Sequence, residues 1–152
     1  MKCIVYKAVI APLFDYCATI LVGLNKTNVQ YLQKLQNQGM RIILKCNRRV
    51  RITDMLEALY FISIKERIEY NVYVFVYKMV KGLCPTYLQN KVKIIQNVER
   101  IGTRQEGNIY IERCNTREEQ KMLMHDGVKM YNALPNEIKS EERIVSFKKM
   151  LA

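Results

Sequence analysis

The sequence predicts a mainly α-helical protein: a small helical bundle, then an irregular or short-hairpin segment, then C-terminal helices. Three observations carry this. Glycine and proline are scarce, with 6 and 3 in 152 residues, so long runs have no backbone breaker. Apolar residues recur at spacings of three and four over those runs. Ser/Thr residues stand three positions before Glu/Gln at Thr27–Gln30, Ser63–Glu66 and Thr116–Glu119, the pattern that satisfies free N–H groups at a helix start. Hydrophobic content of 49% with 26% charged residues belongs to a folded protein. The length suits one domain, organised as a bundle over 1–90, a linker or small hairpin over 91–115 and a helical segment over 116–152.

The elements follow in order. Residues 2–11 place Ile4, Val5, Ala8, Val9 and Ala11 on one side of a helix, which Pro12 is expected to bend. Residues 8–24 form an apolar run after Lys2 and Lys7. Pro12 and Asp15 interrupt it, it lacks a clear cleavage site, and it falls short of a span of about 20 apolar residues. The expectation is a buried helical segment. The next helix starts at the Thr27–Gln30 box and ends near Cys46–Asn47. Val29, Leu32, Leu35, Gly39 and Ile42/Ile43 fall on one face, and Gln30, Lys34, Asn37, Arg41, Lys45 and Arg48 on another. A short helix, MLEALYF, follows Thr53 and Asp54. Ser63–Glu66 then opens the longest helix, IKERIEYNVYVFVYKMVK, whose second half is apolar nearly all round and so belongs in the core. Gly82 and Pro85 stop it. PTYLQN (85–90) reads as one helical turn. Over 91–115 periodicity fails; KVKII and NIYIE, separated by Gly102 and Gly107, suggest extended chain or a hairpin. Thr116–Glu119 opens a helix that runs to Leu134-Pro135, and RIVSFKKML closes the chain.

Function classes narrow by exclusion. No GxSxG, P-loop or GxGxxG occurs, and Asp15, Asp54 and Asp126 are isolated rather than paired for two-metal chemistry. Five wide-spaced cysteines and a single histidine, His125, do not form a zinc-ligand pattern; reduced, mostly buried thiols of an intracellular protein are expected. No catalytic, metal or cofactor residue and no small-molecule substrate is predicted. Charge points elsewhere. The net charge is +11, and residues 1–51 hold nine Lys/Arg against one Asp. That excess calls for an anionic partner, nucleic acid before a membrane surface. Lys34, Arg41, Lys45, Arg48, Arg49 and Arg51 would neutralise phosphates, while Gln30, Asn37 and Gln38 would hydrogen-bond backbone or sugar. An ordinary solvated helix face is the competing reading, as core packing is for Tyr70, Tyr73 and Tyr77.

Six stretches in this order resemble one family: YKAVIAPLFDYCATI (6–20); LQKLQNQGMRIIL (32–44); MLEALYFISIKERIEYNVYVFVYKMVKGLCPTYL (55–88); GTR (102–104); DGVKMYNALPNEIKS (126–140), with a "G…YN.LP..IK" signature; and SFKKML (146–151). Together they resemble the C-terminal part, thumb and beyond, of LINE-type, Jockey-like non-long-terminal-repeat retrotransposon reverse transcriptases. The resemblance implies a helical thumb whose basic helix, here 26–45, grips RNA or an RNA–DNA duplex. It also implies that the metal-binding aspartates, with their Mg2+, lie in an upstream palm that this sequence lacks. The chain alone is then expected to be inactive as a polymerase and to work with that missing domain, in nucleus or cytoplasm. A helical protein-interaction domain, part of an intact enzyme, or a decayed copy are the alternatives.

Overall fold

A computed structural model describes residues 1–95 and 108–151. Among them the protein is mainly helical, as the sequence predicts, with one isolated antiparallel bridge and no strand. The Gly102/Gly107 portion of the expected hairpin and the GTR motif lie outside the described residues. The chain divides into two compact units, Met1–Asn71 and Val72–Ala152. The division falls within helix α5, so each unit is described by itself.

In the first unit, α1 (Lys2–Val5), a π turn (Tyr6–Ile10) and α2 (Ala11–Asp15) follow without a break. Pro12 has no N–H to donate four residues back; the wider turn just upstream takes up the change of register, and the helical path continues through the proline. It stops where Tyr16 becomes extended and Cys17 takes a φ of 53°. Helix α3 (Lys26–Leu44) starts from an extended Asn25 with no side-chain cap, so the Thr27–Gln30 box does not form. It ends because Lys45 turns left-handed, φ 54°. Helix α4 (Ile52–Leu59) follows from Arg51 and ends at a left-handed Tyr60. The Ser63–Glu66 box does form: Ser63 N–H donates to Glu66 Oε2 at 2.9 Å and Glu66 N–H to Ser63 Oγ at 3.3 Å. It opens α5 (Ile64–Val80).

Two sequence expectations fail here. Residues 8–24 are not a buried segment: Val9, Leu13, Tyr16 and Ile20 are exposed, and only Ala11 and Ala18 are buried. The inner side of this helix is marked by Tyr6, which stacks on Phe61 with centroids 5.2 Å apart. The inner face of α3 is also rotated from the apolar stripe. Leu35 and Ile42 are exposed, while Gln36, Asn37 and Met40 are buried. The cause is a polar seam. Gln36 Nε2 donates to Ile62 C=O at 2.8 Å, Gln33 Oε1 accepts Ile64 N–H at 2.9 Å, and Gln33 Nε2 reaches Gln36 Oε1 and Asn37 Oδ1. Amides of α3 thus satisfy the backbone where α5 begins. Beside this seam, Met40, Met55 and Leu59 form an apolar cluster with Ile43, Leu44, Val50 and Phe61. Gly39 is required by proximity: a Cβ there would stand 2.6 Å from Tyr6 Cε2.

The second unit is built on the remainder of α5, whose Val72, Val76 and Tyr77 are fully buried. Leu83 N–H donates to Lys78 C=O at 2.8 Å around a left-handed Gly82 (φ 70°), the expected glycine stop. One turn, α6 (Thr86–Gln89), follows. Ile94 and Ile109 then pair antiparallel, joining the two pieces that the sequence marks as extended. The predicted long helix after Thr116 is broken. α7 (Arg117–Gln120) has its capping box, but Met122 is extended (ψ 155°) before a π turn at Leu123–Gly127 and α8 (Val128–Asn132). α9 (Asn136–Ser140) and α10 (Ile144–Leu151) complete the unit. Phe147 of α10 stacks on Tyr77 at 4.1 Å, and the Tyr77 hydroxyl donates to Glu141 C=O at 3.0 Å. Burial pushes the Tyr131 phenol up to about 12, with Tyr77 adding to the shift. Asn132 works as a backbone mimic: its Nδ2 donates to Ile109 C=O at 2.8 Å, and its Oδ1 accepts Ile109 N–H at 3.0 Å.

Candidate nucleic-acid interface

The predicted phosphate-binding residues converge on the connection between α3 and α4. The local sequence, Lys45-Cys46-Asn47-Arg48-Arg49-Val50-Arg51, explains its shape. The left-handed Lys45 turns the chain off the helix. Asn47 Oδ1 then accepts Arg48 N–H at 2.6 Å, and Asn47 C=O accepts Val50 N–H at 3.2 Å, a side-chain-closed turn of the kind asparagine favours. Val50 packs against the Met40–Met55–Leu59 cluster, so its neighbours Arg48, Arg49 and Arg51 face solvent with Lys45. The connection also receives the negative end of the α3 dipole, which favours cations there.

Further along α3, Lys34 is exposed with its Nζ 5.2 Å from the Tyr31 ring centroid, and Gln30 and Gln38 are exposed. Two predicted residues differ. Asn37 is 5% exposed and its Oδ1 is used by Gln33, so it leaves the solvent face. Arg41 is half-buried, and its Nε is enclosed without an acceptor among the described residues. One residue not predicted joins the end of α3: Lys2 Nζ donates to Ile42 C=O at 3.4 Å. Forty positions separate the two, so no spacing in the sequence marks the pair.

Among the described residues, none of Lys34, Arg41, Lys45, Arg48, Arg49 and Arg51 is in an ion pair. The contrast within the same unit is Arg67, whose guanidinium forms a two-pronged pair with Asp15 at 2.5 and 2.9 Å, joined by Asn71 Nδ2 at 3.2 Å. That hydrogen bond holds Arg67 above its ordinary pKa, against a smaller opposing effect of burial. For Asp15 burial alone would raise the pKa, but the bonds and charge of Arg67, with Asn71, bring it below the ordinary value.

All five cysteines are free thiols; contrary to the expectation of burial, four are half-buried and Cys17 is exposed. Among the described residues no cluster of His, Cys, Asp and Glu can hold a metal ion, and no helix is long and apolar enough to cross a membrane. No protein-family model, curated protein or solved structure matches the chain.

Proposed function

We propose that the first unit binds the sugar–phosphate backbone of RNA or an RNA–DNA duplex, without reading sequence, through the α3–α4 connection. The observation that carries this is the set of solvent-facing cations, Lys45, Arg48, Arg49 and Arg51, held on one short turn with no carboxylate partner among the described residues. Such a cluster repels itself unless an anion sits against it, and phosphate groups suit arginine's paired donors.

The further step, to the thumb region of a non-long-terminal-repeat reverse transcriptase, rests on the ordered motifs of the sequence. On that reading this chain holds a template–primer while an upstream domain performs catalysis. The test is fluorescence anisotropy on an RNA–DNA duplex. Arg48→Glu with Arg49→Glu, both on exposed side chains, should weaken binding by tenfold or more on the strength of lost phosphate contacts. Unchanged binding would remove the proposal.

A second reading is favoured by a different surface. Ile4, Val5, Val9, Leu13, Tyr16 and Ile20 are all more than half exposed in the first unit, an apolar face of the kind that marks protein contacts. Salt-resistant capture of a protein partner, with no duplex binding, would favour that reading.

A further inference from the structure

We propose that the second unit holds a separate pocket for a nucleoside monophosphate group, free or as one residue of a single strand. This rests on residues of that unit alone and is independent of the α3–α4 connection. A cavity of about 470 Å³ is lined by Lys91, Lys93, Tyr110, Arg113, Met122 and His125, among others. That volume is in the range of small-ligand sites.

The pocket's shape comes from pairings already described. Next to the Ile94–Ile109 bridge, Tyr110 N–H donates to Lys93 C=O at 2.7 Å. This sets the tyrosine and the lysine on adjacent stretches of the chain. Across the cavity, the break after α7 places Met122 and His125. His125 Nδ1 is 3.0 Å from Gln120 C=O and 3.4 Å from Asp126 Oδ1. Both neighbours accept, so Nδ1 carries the hydrogen and Nε2 is left for another partner.

Charge and apolar surface then specify the ligand together. Lys93 is paired with Glu112 at 3.3 Å, and the Glu119 carboxylate accepts Thr116 N–H at 3.4 Å in its capping box. Lys91 and Arg113 have no ion-pair partner among the described residues. The lining therefore offers two uncommitted cations. Beside them Tyr110 is 52% and Met122 59% exposed, large apolar side chains left open to solvent at a concave site. A planar, weakly polar body with a negative tail uses all of these. Its ring stacks on Tyr110, its phosphate meets Lys91 and Arg113, and an N–H on the base edge donates to His125 Nε2. An acidic peptide would occupy the cations but leave the tyrosine and the histidine unused.

The test separates the two sources and the two sites. AMP is titrated calorimetrically into the protein. An oligouridylate carrying one 5-bromouridine is photo-crosslinked to the Arg48→Glu/Arg49→Glu variant, so that the first unit does not contribute. Binding of AMP alone assigns the pocket to a free nucleotide, and crosslinks at Tyr110 or Met122 assign it to a strand; either supports the proposal. Tyr110→Ala, and Lys91→Glu with Arg113→Glu, should each weaken the observed binding about tenfold, the scale of one base–aromatic stack or a charge-assisted phosphate contact. Tyr110→Phe should retain it, which separates loss of stacking from loss of fold. No AMP binding together with crosslinks that map elsewhere, or binding unaffected by these variants, would overturn the proposal.

Discussion

Replacing Gln36 by leucine tests the polar seam that orients α3. Gln36 is fully buried, donates to Ile62 C=O at 2.8 Å and accepts from Gln33 Nε2 at 2.8 Å. Leucine has similar bulk and cannot do either. Gln33 keeps Asn37 Oδ1 at 2.9 Å as an acceptor, so its amide is not orphaned. Ile62 C=O loses the side-chain donor that reaches it. Losing these two partly buried hydrogen bonds costs about 1–3 kcal/mol, and the gain from burying a more apolar side chain offsets part of this. The expected net loss is about 1–2 kcal/mol. With urea slopes of about 1–3 kcal/mol per molar, the midpoint followed by circular dichroism at 222 nm should fall by roughly 0.5–1 M. Gln38→Leu, at an exposed position of the same helix, should change stability by no more than about 0.5 kcal/mol. Equal midpoints for Gln36→Leu and the parent would refute the claim that α3 docks through amides.

Three further outcomes follow from the packing. Gly39→Ala should destabilise the first unit by about 1–2 kcal/mol in urea titration despite alanine's better helix propensity, because the new Cβ stands 2.6 Å from the Tyr6 ring. Asn132→Leu removes both bonds to Ile109 and should abolish hydrogen-exchange protection of the Ile109 amide, at a cost of about 1–3 kcal/mol. Asp15→Asn should cost about 1 kcal/mol at neutral pH, the pair being partly exposed. The folded pKa of Asp15 is depressed, so its contribution is complete above the unfolded value near 3.9 and lost as pH falls through the folded one. The stability gap between parent and variant in urea titrations should therefore be constant from about pH 5 to 8 and close below about pH 4.

Helix α5 was readable from sequence because its stop and start signals are local. Ser63 and Glu66 close the box within four residues, and Gly82 supplies the left-handed turn. The exposed face of residues 4–20 was not, since an apolar run reads the same whether the fold covers it or leaves it to a partner. The inner face of α3 is hidden for another reason. Asn37 falls on the polar stripe in a pattern count, whereas its place in the seam depends on Gln33 and Gln36, whose backbone partners Ile64 and Ile62 only the tertiary fold brings near. In residues 117–134 the break falls at Met122, an ordinary helix former that here is extended, and His125 Nδ1 reaches back to Gln120 C=O across it.

The residues on which the family resemblance rests also sort by role. Gly127 admits no Cβ beside Leu123 and Val72, Tyr131 is buried, Asn132 clamps Ile109, and Lys139 donates to Asn108 Oδ1 and Asn132 C=O. In the first unit Gln36 and Asn37 form the seam, and Arg67 holds Asp15. These are staples of the fold. The solvent-facing Arg48, Arg49 and Arg51 lie outside those motifs, and charge patterning, not the motif, marks them.

The central claim is that the α3–α4 connection holds a nucleic-acid backbone by its phosphates. The most direct test is the salt dependence of RNA–DNA duplex binding by the first unit's basic turn in the full chain. With three or four phosphates neutralised, log Kobs should fall against log salt with a slope of about −3. The Arg48→Glu/Arg49→Glu variant should lower that slope by about two. A slope near zero, or one that the double variant leaves unchanged, would contradict the account.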